Sequence, residues 1–162
     1  MLIINTGGTF NKKYNSLKGE LEVSKDLQSL EKILKYFYNL EYKIKNIIHK
    51  DSLDIKLNDR KKIVEIIKNV SDNKILIIHG TDTMNETAKF IAQHVDNKTI
   101  LLTGAMIPFS IDNIEANANF SMSIGYLLSS CQNGIYISMH GLIDIHNRVF
   151  KNREIGIFQS ST

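Results

Sequence analysis

Ile75-Leu76-Ile77-Ile78 is apolar at every position, and so is Leu2-Ile3-Ile4. A strand with one face in water alternates apolar and polar residues, whereas a strand covered on both faces does not. These runs therefore predict buried strands of a mainly parallel sheet. Thr99 to Leu102, Ile44 to Ile48 and Ile135 to Met139 read as further strands. Helical patterns lie between them. Ser24 is the expected N-cap of a helix carrying Leu27, Leu30, Ile33, Leu34 and Phe37, spaced three and four apart. Asn58 is the expected cap of a second, through Ile63, Ile66, Ile67 and Val70. Thr87 to Val95 and Ile114 to Leu128 supply two more. Strand–helix alternation predicts an α/β fold, a three-layer α/β/α sandwich of the flavodoxin or Rossmann-like kind. A chain of 162 residues with a 43% hydrophobic content fits one domain, 1–162, with a core of its own. The polar segment from Thr9 to Val23 does not suit a helix and is expected to form a mobile hairpin or lid.

Several function classes fall away on composition. A single cysteine, Cys131, supports neither a disulfide framework nor a cysteine-based zinc site, and it reads as a small packed residue. No apolar run reaches the roughly 18 residues of a membrane span. Met1-Leu2-Ile3-Ile4-Asn5 lacks a basic leader, so no signal peptide and a cytoplasmic location are expected. The net charge of +3 is uneven, with the basic excess in residues 1–75. Only Arg60, Arg148 and Arg153 are arginines, and the lysines are scattered among acids. That pattern predicts a solvated face rather than a nucleic-acid surface.

In a parallel α/β sheet, ligands bind beyond the carboxyl ends of the strands. Here those ends carry Thr6-Gly7-Gly8-Thr9, Asp51-Ser52-Leu53-Asp54, His79-Gly80-Thr81-Asp82-Thr83-Met84 and Thr103-Gly104-Ala105-Met106, with His140-Gly141 and Lys151 after the last. Glycines let backbone amides approach a ligand, and hydroxyls attack it or hydrogen-bond to it. The first turn lacks the third glycine of a dinucleotide fingerprint, and no phosphate-binding Gly-x-x-x-x-Gly-Lys-Ser/Thr occurs. His79, His140 and His146 show no metal-ligand spacing and read as structural histidines. Asp82 has two readings, a helix N-cap or a functional carboxylate. Thr6 lies at a glycine-rich turn whose N–H groups suit an oxyanion, and a threonine attacks only when a neighbour takes its proton. Lys151 has two readings as well, a base or an orienting cation.

In this order, Thr6-Gly7-Gly8-Thr9, His79-Gly80-Thr81-Asp82-Thr83-Met84 and Thr103-Gly104-Ala105-Met106 resemble the bacterial-type L-asparaginase family. The resemblance runs from residue 1 to about residue 153 and covers only the family's larger, N-terminal domain. It implies that fold, with the second, smaller domain of the family absent. It also implies hydrolysis of the side-chain amide of L-asparagine, or a related small amide, without metal or cofactor. Matched position by position, the family's site residues fall on Thr6, Thr81, Asp82, Lys151 and Ser52, and the loop tyrosine on Tyr14. Thr6 is the expected nucleophile, with Thr81, Asp82 and Lys151 as the second catalytic group and the order of attack open. Tyr14 would close over Thr6. Ser52 would take the substrate carboxylate and Asp82 its ammonium, with Gly8 and Gly80 lining the substrate site. Leu53 stands where the family has glutamine. The resemblance implies a homodimer or higher homo-oligomer. The 114–128 helix is expected to pack on the sheet, which leaves only its outer residues open to an oligomer face. The alternative reading is a non-catalytic domain that binds a small amino acid or peptide, or acts as a partner subunit.

Overall fold

The runs that are apolar throughout are the inner strands of one six-stranded sheet. A computed structural model of the chain describes residues 1–161. In chain order its elements are β1 (Leu2–Gly7), β2 (Lys12–Asn15), β3 (Glu20–Val23), α1 (Gln28–Leu34), β4 (Lys43–Lys50), α2 (Leu57–Lys68) and β5 (Lys74–Ile78). There follow α3 (Met84–Ala92), β6 (Thr99–Thr103), α4 (Ile114–Leu128), β7 (Gly134–Met139), β8 (Leu142–Ile145), β9 (Val149–Asn152) and β10 (Ile157–Ser160). The sheet order is β4-β1-β5-β6-β7-β8. The first five are parallel, and β8 runs antiparallel to β7 at the edge. β2–β3 and β9–β10 are separate antiparallel hairpins.

Side chains of one strand point alternately to the two faces, so each apolar run feeds two cores. Leu2, Ile4, Ile75, Ile77, Ile100 and Leu102 pack with Ile63 and Ile67 of α2 and Ala88 and Ile91 of α3. Ile3, Leu76, Ile78 and Leu101 pack with Leu30 and Ile33 of α1 and Phe120, Ile124 and Leu127 of α4. Full burial of such a side chain contributes about 1.5–3 kcal/mol each. The edge strand β4 is covered less and keeps lysines at positions 43, 45 and 50. No helix among the described residues is long and apolar enough to cross a membrane.

Helix ends differ from expectation for identifiable reasons. α1 begins at Gln28 because Ser24 Oγ is engaged with Asp26 Oδ2 at 2.7 Å, and Asp26 Oδ1 accepts the Gln28 N–H. Phe37 lies beyond that helix but still meets Phe120 edge-on at 5.8 Å. Asn58 lies inside the first turn of α2, and Asp59 accepts the Lys56 N–H at 2.8 Å. α3 starts at Met84, ahead of Thr87, with Thr83 as the N-cap residue; Asp82 does not cap it. Strands β8, β9 and β10 have four residues each and carry no clear apolar pattern, so nothing local marks them. The polar 9–23 segment is a single 3-10 turn, Thr9–Asn11, leading into β2–β3. α4 buries Phe120, Ile124 and Leu127 and leaves Ile114 and Leu128 exposed.

Candidate active site

The crossover direction selects where a site forms. From β1 the chain passes through α1 to β4 on one side, then through α2 to β5 on the other. The carboxyl ends of β1 and β5 therefore flank a topological switch point, the usual crevice of such sheets. Thr6 ends β1 there. Its Oγ1 donates to the Ile78 carbonyl at 2.8 Å, and the residue is fully buried.

Three turns converge beside it. Gly8 has φ +73, and a Cβ there would fall 2.4 Å from Gly80 Cα. A Cβ on Gly80 would fall 2.6 Å from Ser52 Cβ. Only glycine permits both approaches, and they bring Gly8, Gly80 and Ser52 into direct contact. Ser52 Oγ accepts the Asp82 N–H at 3.2 Å, and its carbonyl accepts Thr83 Oγ1–H at 2.7 Å. Asp51 leads this turn. Burial pushes its carboxyl up, but Lys12 Nζ at 2.6 Å and the Leu53 N–H pull it below the usual carboxylate range. Leu53 is exposed.

Lys151 arrives from β9. Its Nζ donates to Thr81 Oγ1 at 2.9 Å and pairs with Asp82 Oδ1 at 2.8 Å. Asp82 is thus a partner of the lysine, and its Oδ2 holds no hydrogen bond among the described residues. Arg153 Nη2 donates to the Asp82 carbonyl at 3.1 Å, and Asn85 Nδ2 donates to the carbonyls of Val149 and His146. These contacts tie the β9–β10 hairpin to the 81–85 turn. The structure therefore brings together Thr81, Asp82, Lys151 and Ser52, with Gly8, Gly80 and Thr6 against the same turns. Tyr14 is apart from them: it lies on β2 opposite Leu21, is 66% exposed, and makes no hydrogen bond to Thr6.

His79 lies in the same turn and is fully buried. Burial pushes its imidazole down to about 4, the Gly80 carbonyl pulls the other way, and Arg60 adds to the fall. The neutral ring donates from Nδ1 to that carbonyl at 2.7 Å, while buried Nε2 has no partner among the described residues. His146 is likewise held below its usual range by burial. Among the described residues no group of three or more His, Cys, Asp or Glu side chains lies close enough to hold a metal ion.

Two further polar groups escape sequence reading. Asn5 Oδ1 accepts Asn11 Nδ2 at 2.6 Å and the Gly7 N–H at 3.2 Å, bracing the first turn. Glu115, Asn119 and His140 form the second group, joining α4 to the strand ends. The spacing of Glu115 and Asn119 on one helical face is the single local hint; their partners are distant in sequence.

A family model described as asparaginase, N-terminal, matches residues 1–160. No curated protein sequence matches the chain. Among solved structures, the thermostable L-asparaginase from Thermococcus kodakarensis is 26% identical with a TM-score of 0.83, covering 98% of this chain and 50% of that one. L-asparaginase I from Vibrio cholerae O1 biovar eltor is 21% identical with a TM-score of 0.81, over 99% of this chain and 51% of that one. A probable cytoplasmic L-asparaginase from Campylobacter jejuni is 21% identical with a TM-score of 0.73, over 98% and 52%. The two at 21% identity speak for the fold alone. The chain spans about half the length of the proteins it matches.

Proposed function

Since the chain belongs to the asparaginase family, matching its N-terminal domain over residues 1–160, we propose that it is an amidohydrolase. The reaction is hydrolysis of the side-chain amide of L-asparagine, or a related small amide, to the acid and ammonia. The observation that carries this reading is Lys151 Nζ, 2.9 Å from Thr81 Oγ1 and 2.8 Å from Asp82 Oδ1, across some seventy residues of sequence.

A threonine oxygen adds to the amide carbonyl, its hydroxyl proton passes through a neighbouring acceptor to the leaving nitrogen, the C–N bond breaks, and ammonia departs. Water then cleaves the acyl ester and restores the hydroxyl. Thr6 is the proposed nucleophile. Its hydroxyl donates a hydrogen bond to the Ile78 carbonyl, which is no base, so attack requires the hydroxyl to turn toward an acceptor in the substrate-bound site. Tyr14 would meet Thr6 by closure of the β2–β3 hairpin. The second order of events has Thr81 attack first. The Lys151 donor favours it, because a cation at 2.9 Å stabilises negative charge developing on Oγ1. Asp82 Oδ2 is free to receive the substrate ammonium, and Ser52 faces the same turn for its carboxylate. No cofactor or metal enters this scheme. A cytoplasmic location and a homo-oligomer belong to the same reading.

Ammonia release from a panel of small amides tests it. Thr81→Val and Thr6→Ala are each expected to lower the rate at least a hundredfold with the fold retained. A stable wild-type chain that releases no ammonia from asparagine, glutamine or peptides bearing them refutes turnover. The second reading, a domain that binds a small amino acid or peptide without turnover or serves as a partner subunit, is favoured by exposed Tyr14 and by Leu53 in place of glutamine. L-Aspartate that raises the melting temperature of an inactive chain supports it.

A further inference from the structure

The hairpin that carries Lys151 is gripped from its other strand. His140 Nδ1 accepts the Phe158 N–H at 3.2 Å, and His140 Nε2 lies 3.0 Å from Glu115 Oε1. A backbone amide can only donate, so Nδ1 is bare and Nε2 bears the proton, given to Glu115. The two bonds together select one tautomer. Phe158 is the residue directly opposite Lys151 in the β9–β10 register. Its N–H is turned out of the ribbon toward His140, and in such pairs the facing side chains approach closely. The buried Phe158 ring also meets the imidazole edge-on, with centroids 5.8 Å apart.

The imidazole is itself held. Glu115 accepts the N–H groups of Met106 at 2.9 Å and Ile107 at 3.0 Å. Asn119 accepts the His140 N–H at 3.0 Å and donates to the Gly104 carbonyl at 3.1 Å. His140 takes the left-handed φ of +54 that few non-glycine residues adopt. Asn85 and Arg153 tie the hairpin to the 81–85 turn, but neither acts at β10.

We propose that His140, seated by Glu115, is a positioning residue that sets where Lys151 Nζ lies against Thr81 and Asp82. The proposal rests on the amidohydrolase reading for its kinetic consequence, and on geometry alone for the placement of the lysine.

The test uses His140→Asn, since asparagine tolerates positive φ but is too short to span Phe158 and Glu115. Expected are a kcat for ammonia release lower by about tenfold, KM within about twofold, faster exchange of the Phe158 amide, and a shifted Lys151 side-chain NMR resonance. Glu115→Gln, which loses part of the acceptor set, is expected to move every readout in the same direction and serves if His140→Asn does not fold. An unchanged Lys151 resonance in a folded variant overturns the proposal, as does an unchanged kcat in an active one. A wild type that releases no ammonia refutes the reaction instead, and the Lys151 resonance then decides the positioning role by itself.

Discussion

Mild acid should destabilise this protein through one buried ring. His79 is fully buried between the ends of the central strands, and burial lowers its folded-state pKa to about 4 from an unperturbed 6.5. The unfolded chain takes up the proton first. Stability is therefore whole above pH 6.5, falls as pH drops from 6.5 to 4, and loses nothing further from this group below that. A gap of roughly 2.5, at about 1.4 kcal/mol for each, amounts to about 3–4 kcal/mol. That is a large fraction of the roughly 5–15 kcal/mol by which such domains are stable. Urea unfolding at pH 7.5, 6.5, 5.5 and 4.5 measures it. His79→Asn is the control, because its amide nitrogen can still donate to the Gly80 carbonyl while carrying no titration. Asp26, Asp51 and Asp59 are held below their usual range and lose their contributions only at lower pH, in both proteins. His146 acts in the same direction and is common to both. The wild type should lose about 2–3 kcal/mol more than His79→Asn between pH 6.5 and 4.5. Equal losses in the two proteins would refute the assignment of this pH dependence to His79.

Gly8→Ala should cost about 2–4 kcal/mol, since it combines positive φ with a clash against Gly80; Gly19→Ala, with φ +70 but open space around it, should cost about 1 kcal/mol. Thermal unfolding of the two variants side by side checks the difference, and equal costs would mean that the turn contact is unimportant. Leu76→Ala, at a fully buried position on the α1/α4 face, should cost about 2–5 kcal/mol by chemical denaturation, and less than 1 kcal/mol would contradict the close packing described. If α4's exposed Ile114 and Leu128 serve a homodimer, sedimentation should show a dimer that Ile114→Lys dissociates; a wild-type monomer at working concentration refutes it.

Much of the architecture is legible in single residues. Leu2-Ile3-Ile4 and Ile75 to Ile78 cannot alternate because helices cover both faces, and the sequence displays that burial directly. α4 keeps its expected bounds, and its buried apolar residues, Ala116, Phe120, Ile124 and Leu127, recur every three or four positions. Helix starts were less legible. Ser24 and Asn58 suit a cap equally well, and the backbone chose Leu27 and Lys56 once Asp26 and Asp59 had bonded to neighbouring amides.

By itself, the sequence determined the layer order, the parallel strands β1, β4, β5, β6 and β7 and the hydroxyl-and-glycine turns at the strand ends. Each of these is written in local periodicity or in a motif a few residues long. Tertiary structure alone decided that Asp82 pairs with Lys151 instead of capping α3, that the Thr6 hydroxyl donates to the Ile78 carbonyl, that Tyr14 stands away from Thr6, and that His140 grips the strand opposite Lys151. Those contacts join residues from about 18 to 72 positions apart. Their partners are selected by strand order and by how closely two glycine turns approach, and neither quantity leaves a mark on nearby sequence.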